Sequence, residues 1–254
     1  MHSDAHGNCF VTLTYRDKSE CDAKQLRKGY YVPDDLSLDV THFQKFLKRC
    51  RKHFEQRIRY FHCGEYGDQN LRPHYHACMF NVSFGDRIVY KNDNGFTVYS
   101  SPTLEKLWPY GFSTVAELNF QTAAYTAGYC LKKVTGARAA DHYLRSDSDG
   151  VAVWVKPEYV TMSLKPGIGA KWYEKFSKDV FPSDEVPVPG KGIVRKVPRY
   201  YETILESSDP GTHQLVKQLR QSFIANHKAD FTPQMLMSKY KVAKAKEKMK
   251  RREL

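Results

Sequence analysis

The sequence predicts an α+β fold: a central antiparallel sheet with flanking helices, followed by a mainly helical C-terminal extension. Three observations carry this. Residues 9–15 (CFVTLTY) and 73–80 (PHYHACMF) are rich in β-branched and aromatic side chains or alternate with a period of two, as strands do. Between them Phe43, Phe46, Leu47, Cys50 and Phe54 recur at i, i+3, i+4, i+7 and i+11, which is one face of a helix. The resulting order of strand, helix, strand, strand argues helices packed on one face of a sheet.

Taken in order, the first strand puts Thr12 and Thr14 on one face and Val11, Leu13 and Tyr15 on the other. The charged stretch 16–35 reads as a loop or excursion. Ser37 or Asp39 caps the helix that follows, whose outer face is basic: Lys45, Lys48, Arg49, Arg51 and Lys52. Residues 57–65 (RIRYFHCGE) form a second strand, 67–70 a turn, and Pro73 opens the third strand, where proline is tolerated. The polar stretch at about 85–110 reads as a hairpin and a brief helix forming an excursion from the core. A strand at 112–118 and a helix from 120 to about 133 come next. Residues 141–150 read as loop, 151–155 as strand-like and 157–169 as irregular, with Trp172, Tyr173 and Phe176 on a short helix. Four prolines in 182–198 suggest a linker. The expected organisation is therefore a domain at 1–180, a Pro-rich linker at 181–200, and a helical, basic extension at 201–254.

The 40 Lys and Arg against 28 Asp and Glu leave a net charge of +12, which favours a polyanionic partner, nucleic acid before an anionic membrane surface. With 41% hydrophobic residues the chain can build a core, so it is not a disordered polycation. No apolar run is long enough to span a bilayer, and residues 1–8 lack the layout of a secretory signal. The six cysteines are scattered without a Cys-x-x-Cys pair, as expected of reduced thiols in a soluble cytosolic protein. There is no Gly-x4-Gly-Lys-Ser/Thr loop, hence no expected nucleotide cofactor.

The chemistry concentrates in three places. On a strand, His74 and His76 share a face, and two neutral imidazoles converging there are natural ligands for a divalent metal. Across the turn, Glu65 can complete a set of two histidines and a carboxylate, suited to Mg²⁺ or Mn²⁺ acting on a phosphate. His62 is the rival third ligand, and a structural zinc site using Cys63 and Cys78 is another reading, although its usual paired spacings are absent. On the later helix, Tyr125 and Tyr129 stand one turn apart on the same face, with Lys132 and Lys133 in the next turn. They read either as ordinary half-buried tyrosines or as a pair of nucleophiles whose phenolate a neighbouring ammonium would stabilise.

Together these segments resemble the HUH-type rolling-circle replication initiator endonucleases, most of all the branch found in microviruses, small phages with circular single-stranded DNA. Phe10-Val11-Thr12-Leu13-Thr14-Tyr15 resembles the family's first motif, Arg72-Pro73-His74-Tyr75-His76 its second, and the helix from Ala124 to Lys133 its two-tyrosine third. The stretch Met162-Ser163-Leu164-Lys165-Pro166-Gly167-Ile168-Gly169, then Trp172-Tyr173, extends the likeness. The resemblance implies an HUH, ferredoxin-like or RRM-like palm, with metal ligands Glu65, His74 and His76, and Mg²⁺ or Mn²⁺ as cofactor. It also implies catalytic Tyr129, Tyr125 and Lys132, and DNA contacts at Thr12, Thr14, Arg72 and Lys133. Where the family often has a basic residue before the second tyrosine, this chain has Gly128; Tyr129 and Lys132 keep the Tyr-x-x-Lys spacing and rank first. The implied activity is nicking of single-stranded origin DNA, leaving a 5′-phosphotyrosine and a 3′-hydroxyl, with later rejoining. The implied partners are a host helicase and polymerase in the host cytoplasm.

Eight Lys or Arg between residues 239 and 252, against Glu247 and Glu253, put six of the twelve net charges in the tail, either as a DNA-binding arm or as a solvated helix end. Two rival functions remain open: a plasmid-type relaxase, and a nucleic-acid-binding protein without catalysis.

Overall fold

The computed structural model describes residues 7–67, 70–93, 96–128, 133–146, 150–188, 192–195 and 197–250. These fall into two compact units, Met1–Lys171 and Trp172–Leu254.

In the first unit β1 (Asn8–Tyr15) leads through α1 (Ala23–Lys28) to α2 (Val40–Phe54), β2 (Arg59–Tyr66) and β3 (Pro73–Phe80). The chain continues through β4 (Ile88–Asp93), β5 (Phe96–Ser100), α3 (Pro102–Leu107), β6 (Gly111–Glu117) and α4 (Phe120–Gly128). After α5 (Arg138–Tyr143) come a small ribbon of β7 (Leu144–Ser146) and β8 (Ala152–Trp154), then β9 (Tyr159–Met162) and α6 (Ala170–Val180), within which the unit boundary falls. Seven strands form one sheet in the order β4-β5-β6-β1-β3-β2-β9, each neighbouring pair antiparallel. The fold is α+β, as the alternation and helical spacing predict.

Alternation gives this sheet two different faces. On one, Leu13, Tyr15, Tyr75 and Met79 are fully buried with Phe43 and Phe46 of α2 and Trp108 after α3. Tyr15 and Tyr75 would strand two hydroxyls there, but their Oη atoms bond each other at 2.7 Å, and Tyr75 also donates to the Asp39 carbonyl at 2.9 Å. Asp39 in turn caps α2 by accepting from the Thr41 amide at 2.8 Å. On the opposite face a smaller cluster of Phe10, Cys78 and Ala116 packs with Phe61, Ala123 and Tyr125.

Four expectations change. The charged stretch 16–35 contains α1, because Asp22 and Gln25 cap each other reciprocally and Gly29 closes the helix at a φ of 62°. The stretch at about 85–110 is part of the core: β5 pairs with β6 and extends the sheet, and Leu104, Leu107 and Trp108 are buried. The irregular 157–169 contains β9, which completes the far edge against β2. The Pro-rich 181–200 holds a hairpin of β10 (Glu185–Val188) and β11 (Gly192–Arg195).

That hairpin belongs to the second unit, where Val186 and Val197 join a core with Tyr173, Val180, Phe181, Tyr201, Leu205 and Val216. Its helices are α7 (Arg199–Ser208), α8 (Pro210–Asn226) and α9 (Pro233–Lys250). From α8, Arg220 forks onto Asp184 at 2.7 and 2.9 Å and reaches Glu202 at 2.7 Å, tying α8 to α7 and to the start of the hairpin. Among the described residues, no helix is long and apolar enough to cross a membrane.

Candidate active site

Side chains that pair across an antiparallel sheet share a face, so the register lays the open face out in rows. Phe112, Thr14, His74 and Glu65 form one row across β6, β1, β3 and β2. Thr114, Thr12, His76 and Cys63 form the next. The third, Ala116, Phe10, Cys78 and Phe61, belongs to the small apolar cluster that includes Ala123 and Tyr125 of α4. Helix α4 thus covers the third row, and in the first row Glu65 is buried, His74 and Thr14 are partly exposed and Phe112 is exposed.

Glu65, His74 and His76 converge, with one ligand atom from each lying within 4.8 Å of the others. Oε1 of the buried Glu65 stands 2.8 Å from Nε2 of His74 and 3.0 Å from Nε2 of His76. Burial opposes the carboxylate charge, but the bonds to the two imidazoles outweigh it and hold the Glu65 pKa down at about 2. The other ring nitrogens are engaged behind the site. His74 Nδ1 faces the Arg72 carbonyl at 3.1 Å, which can only accept, so this nitrogen donates. His76 Nδ1 is 3.0 Å from Thr12 Oγ1. Glu65 Oε1 and the two Nε2 atoms point at one another, so the three side chains offer their ligand atoms to a single cation. The donor set of two nitrogens and one oxygen therefore fits a divalent metal.

His76 is fixed by more than Thr12. The Phe10 ring stacks on it at 5.6 Å between centroids with 9° between planes, and Tyr125 meets it edge-on at 5.3 Å. Tyr125 is placed there by the frame of α4. Asn119 caps the helix by accepting from the Gln121 and Thr122 amides, and the buried Thr126 receives the Cys78 thiol at 3.6 Å.

The expected third ligand, Glu65, is thus in the cluster, and its rival His62 is not. His62 points to the opposite face, stacked on Phe43 at 3.5 Å and bonded to Thr161 Oγ1 at 2.9 Å, where burial pushes its pKa well down. Cys63 and Cys78 are buried cysteines outside the cluster. Of the residues expected to touch DNA, Thr12 holds His76, and Arg72 bonds the Tyr15 carbonyl at 3.0 Å and Asp17 at 2.5 Å. Thr14 faces outward beside His74. Lys133 is exposed on irregular chain. Tyr129 and Lys132 lie outside the described residues. One further residue has a claim: Phe112, at 56% exposure, is a bare aromatic ring in the row of His74. It lies two strands away, about 10 Å at sheet spacing. Its signal was present in the alternation of 112–118, where an aromatic falls on the face opposite to the core.

The sequence profile of the replication-associated protein ORF2 family matches residues 8–134, the stretch that builds the open face and its helix. The chain belongs to this family. It is 35% identical over 213 residues to the replication-associated protein ORF2 of Spiroplasma virus 4, covering 81% of this chain and 60% of that one. It is 30% identical over 205 residues to the replication-associated protein VP4 of Bdellovibrio phage phiMH2K, covering 80% and 59%. A shorter match, 31% over 113 residues, is to the replication-associated protein ORF4 of Chlamydia phage 1, covering 39% and 27%. The chain spans about three fifths of the length of the first two relatives. No solved structure matches it.

Proposed function

We propose that this family member is a replication initiation protein that nicks single-stranded DNA at an origin by tyrosine transesterification. The observation that carries the reading is a phenol, Tyr125, against the ring of His76, whose Nε2 converges with Glu65 and His74. A cluster made only for structure has no need of an open face beside it.

In this reading Glu65, His74 and His76 hold Mg²⁺ or Mn²⁺, which when bound polarises a phosphate oxygen. Thr12 and the Arg72 carbonyl orient the two imidazoles, and Phe10 keeps water from one side of His76. Thr14 and Phe112 lie where a strand would cross the open row, and the exposed Lys133 contributes positive charge. The phenol oxygen of Tyr129 or Tyr125 attacks the scissile phosphorus. The bond from phosphorus to the 3′ oxygen breaks, the 3′ oxygen takes up a proton, and a 5′-phosphotyrosine remains. An unperturbed phenol has a pKa near 10, so the attack needs its proton removed, and Lys132 is assigned to stabilise the phenolate. Two phenols one turn apart permit a second cleavage while the first still holds DNA. The same reading places the protein in the host cytoplasm, with a host helicase and polymerase supplying unwinding and synthesis.

Incubation with labelled single-stranded origin oligonucleotide and Mn²⁺, followed by a denaturing gel, tests this. A covalent adduct that disappears on chelation is the expected result; binding without adduct favours a DNA-binding module without catalysis. Separate Tyr125→Phe and Tyr129→Phe variants rank the nucleophiles, and loss of the first cleavage in Tyr125→Phe alone would reverse the order the sequence suggests.

A further inference from the structure

The first unit contains a second basic feature, away from the metal ligands. A cleft of about 330 Å³ opens between the middle of α2, the start of β2 and the turn after β9, and five of its lining side chains are cationic: Lys48, Arg51, Arg57, Arg59 and Lys165. Among the described residues no acidic one lines it. The arginines are held by neutral carbonyls: Arg51 by Ile58 at 2.8 Å, Arg57 by Lys165 at 3.0 Å, and Arg59 by Ser163 and Pro166. These bonds fix the guanidiniums, and those to Arg51 and Arg57 do so without cancelling their charge. Among the described residues no carboxylate comes within ion-pair distance of Lys48, Arg51, Arg57 or Lys165.

We propose that this cleft binds successive phosphates of a nucleic-acid strand, as a second DNA contact distinct from the metal site. Five cations exceed what one free phosphate can neutralise, whereas a polynucleotide brings one charge per residue in a row. Rigid guanidiniums suit phosphate oxygens, and Lys48 and Lys165 are exposed at the mouth to meet them. Arg59 and Glu65 lie at opposite ends of β2, six residues and so about 20 Å apart. The cleft thus engages DNA some nucleotides from the cleaved bond. The proposal rests on the replication reading for the identity of its polyanion.

Anisotropy of a long labelled single-stranded oligonucleotide, read against salt for the full chain, tests it. Lys48→Gln with Lys165→Gln should lower the slope of log affinity against log salt by about 1.4, two phosphates at roughly 0.7 each. Lys48→Arg with Lys165→Arg should restore it, which a collapsed fold could not do. An unchanged slope in the glutamine variant overturns the proposal. In the wild-type chain, Lys48 and Lys165 should be protected from acetylation by the oligonucleotide. Protection by inorganic phosphate alone at equal phosphate concentration, or by phosphatidylserine vesicles and not by DNA, also overturns it. Failure of the nicking reading appears separately, as absence of the Mn²⁺-dependent adduct in the wild type while the salt slope still reports on the cleft.

Discussion

At the scale of single residues, the candidate metal-binding side chains are oriented by groups outside the triad. Thr12→Val keeps the shape of β1 but removes the oxygen that fixes Nδ1 of His76. Losing such an orienting bond typically costs 10- to 100-fold in metal affinity, about that much is expected for Mn²⁺, and calorimetry measures it. Undiminished affinity would mean that stacking on Phe10 alone sets the ring. Phe112 makes a different prediction. If a base stacks on it, Phe112→Ala should weaken single-strand binding by about 1–3 kcal/mol while Phe112→Trp preserves it, measured by anisotropy without metal. The pair His74 and His76 was legible because a strand's period of two puts i and i+2 together. The choice between Glu65 and His62 was less so, since both lie on β2 and only the pairing register, Glu65 opposite His74, decides it.

At the scale of elements, the open face depends on two local devices. Helix α2 starts where Asp39 accepts the Thr41 amide, and Asp39→Ala should destabilise the protein by about 1 kcal/mol in a denaturant titration. Partial burial raises the Asp39 pKa, but the Thr41 hydrogen bonds win and hold it below the usual carboxylate range. The stabilisation is therefore complete above about pH 4, the unfolded carboxylate value, and fades as pH falls through the lower folded value. The mutant's deficit should shrink accordingly at low pH. The second device is Gly111, opposite Tyr15, where β1 and β6 approach so closely that a Cβ would lie 2.2 Å from the Thr14 carbonyl oxygen and 2.5 Å from the Arg16 amide nitrogen. Gly111→Ala must push backbone apart, and overpacking of this kind costs about 1–3 kcal/mol or more. A thermal melt matching the wild type would contradict it. Strand β9 escaped sequence reading because four residues between prolines carry little periodicity; pairing with β2 supplies what its own sequence does not.

At the scale of the molecule, half of the net positive charge sits in the tail and the other half is spread over the body. Helix α9 is solvent-exposed at each residue whose side chain is described. Removing residues 230–254 should lower the salt slope of DNA binding by about 0.7 for each single-strand phosphate that the tail neutralises. A slope that stays the same would make α9 a solvated appendage. Composition was a poorer guide to the rest of the second unit, because the hairpin β10–β11 lies where four prolines suggested a linker. Proline excludes a residue from donating in a ladder, yet a short two-stranded ribbon has edges where no donor is required, and Val186 is buried there.

The sequence by itself determined the α+β class, the face shared by His74 and His76, the helix carrying Tyr125, and the basic character of the whole. Each of these follows from a periodicity of two or 3.6 residues, or from composition, and none needs a partner segment to be read. Tertiary structure alone decided that Glu65 and not His62 joins the histidines, that Phe10 and Tyr125 enclose His76, that the 85–110 stretch extends the sheet, and that cations from α2, β2 and the turn after β9 share a cleft. These depend on register between strands distant in sequence, which is set by burial of a common face and not by local preference.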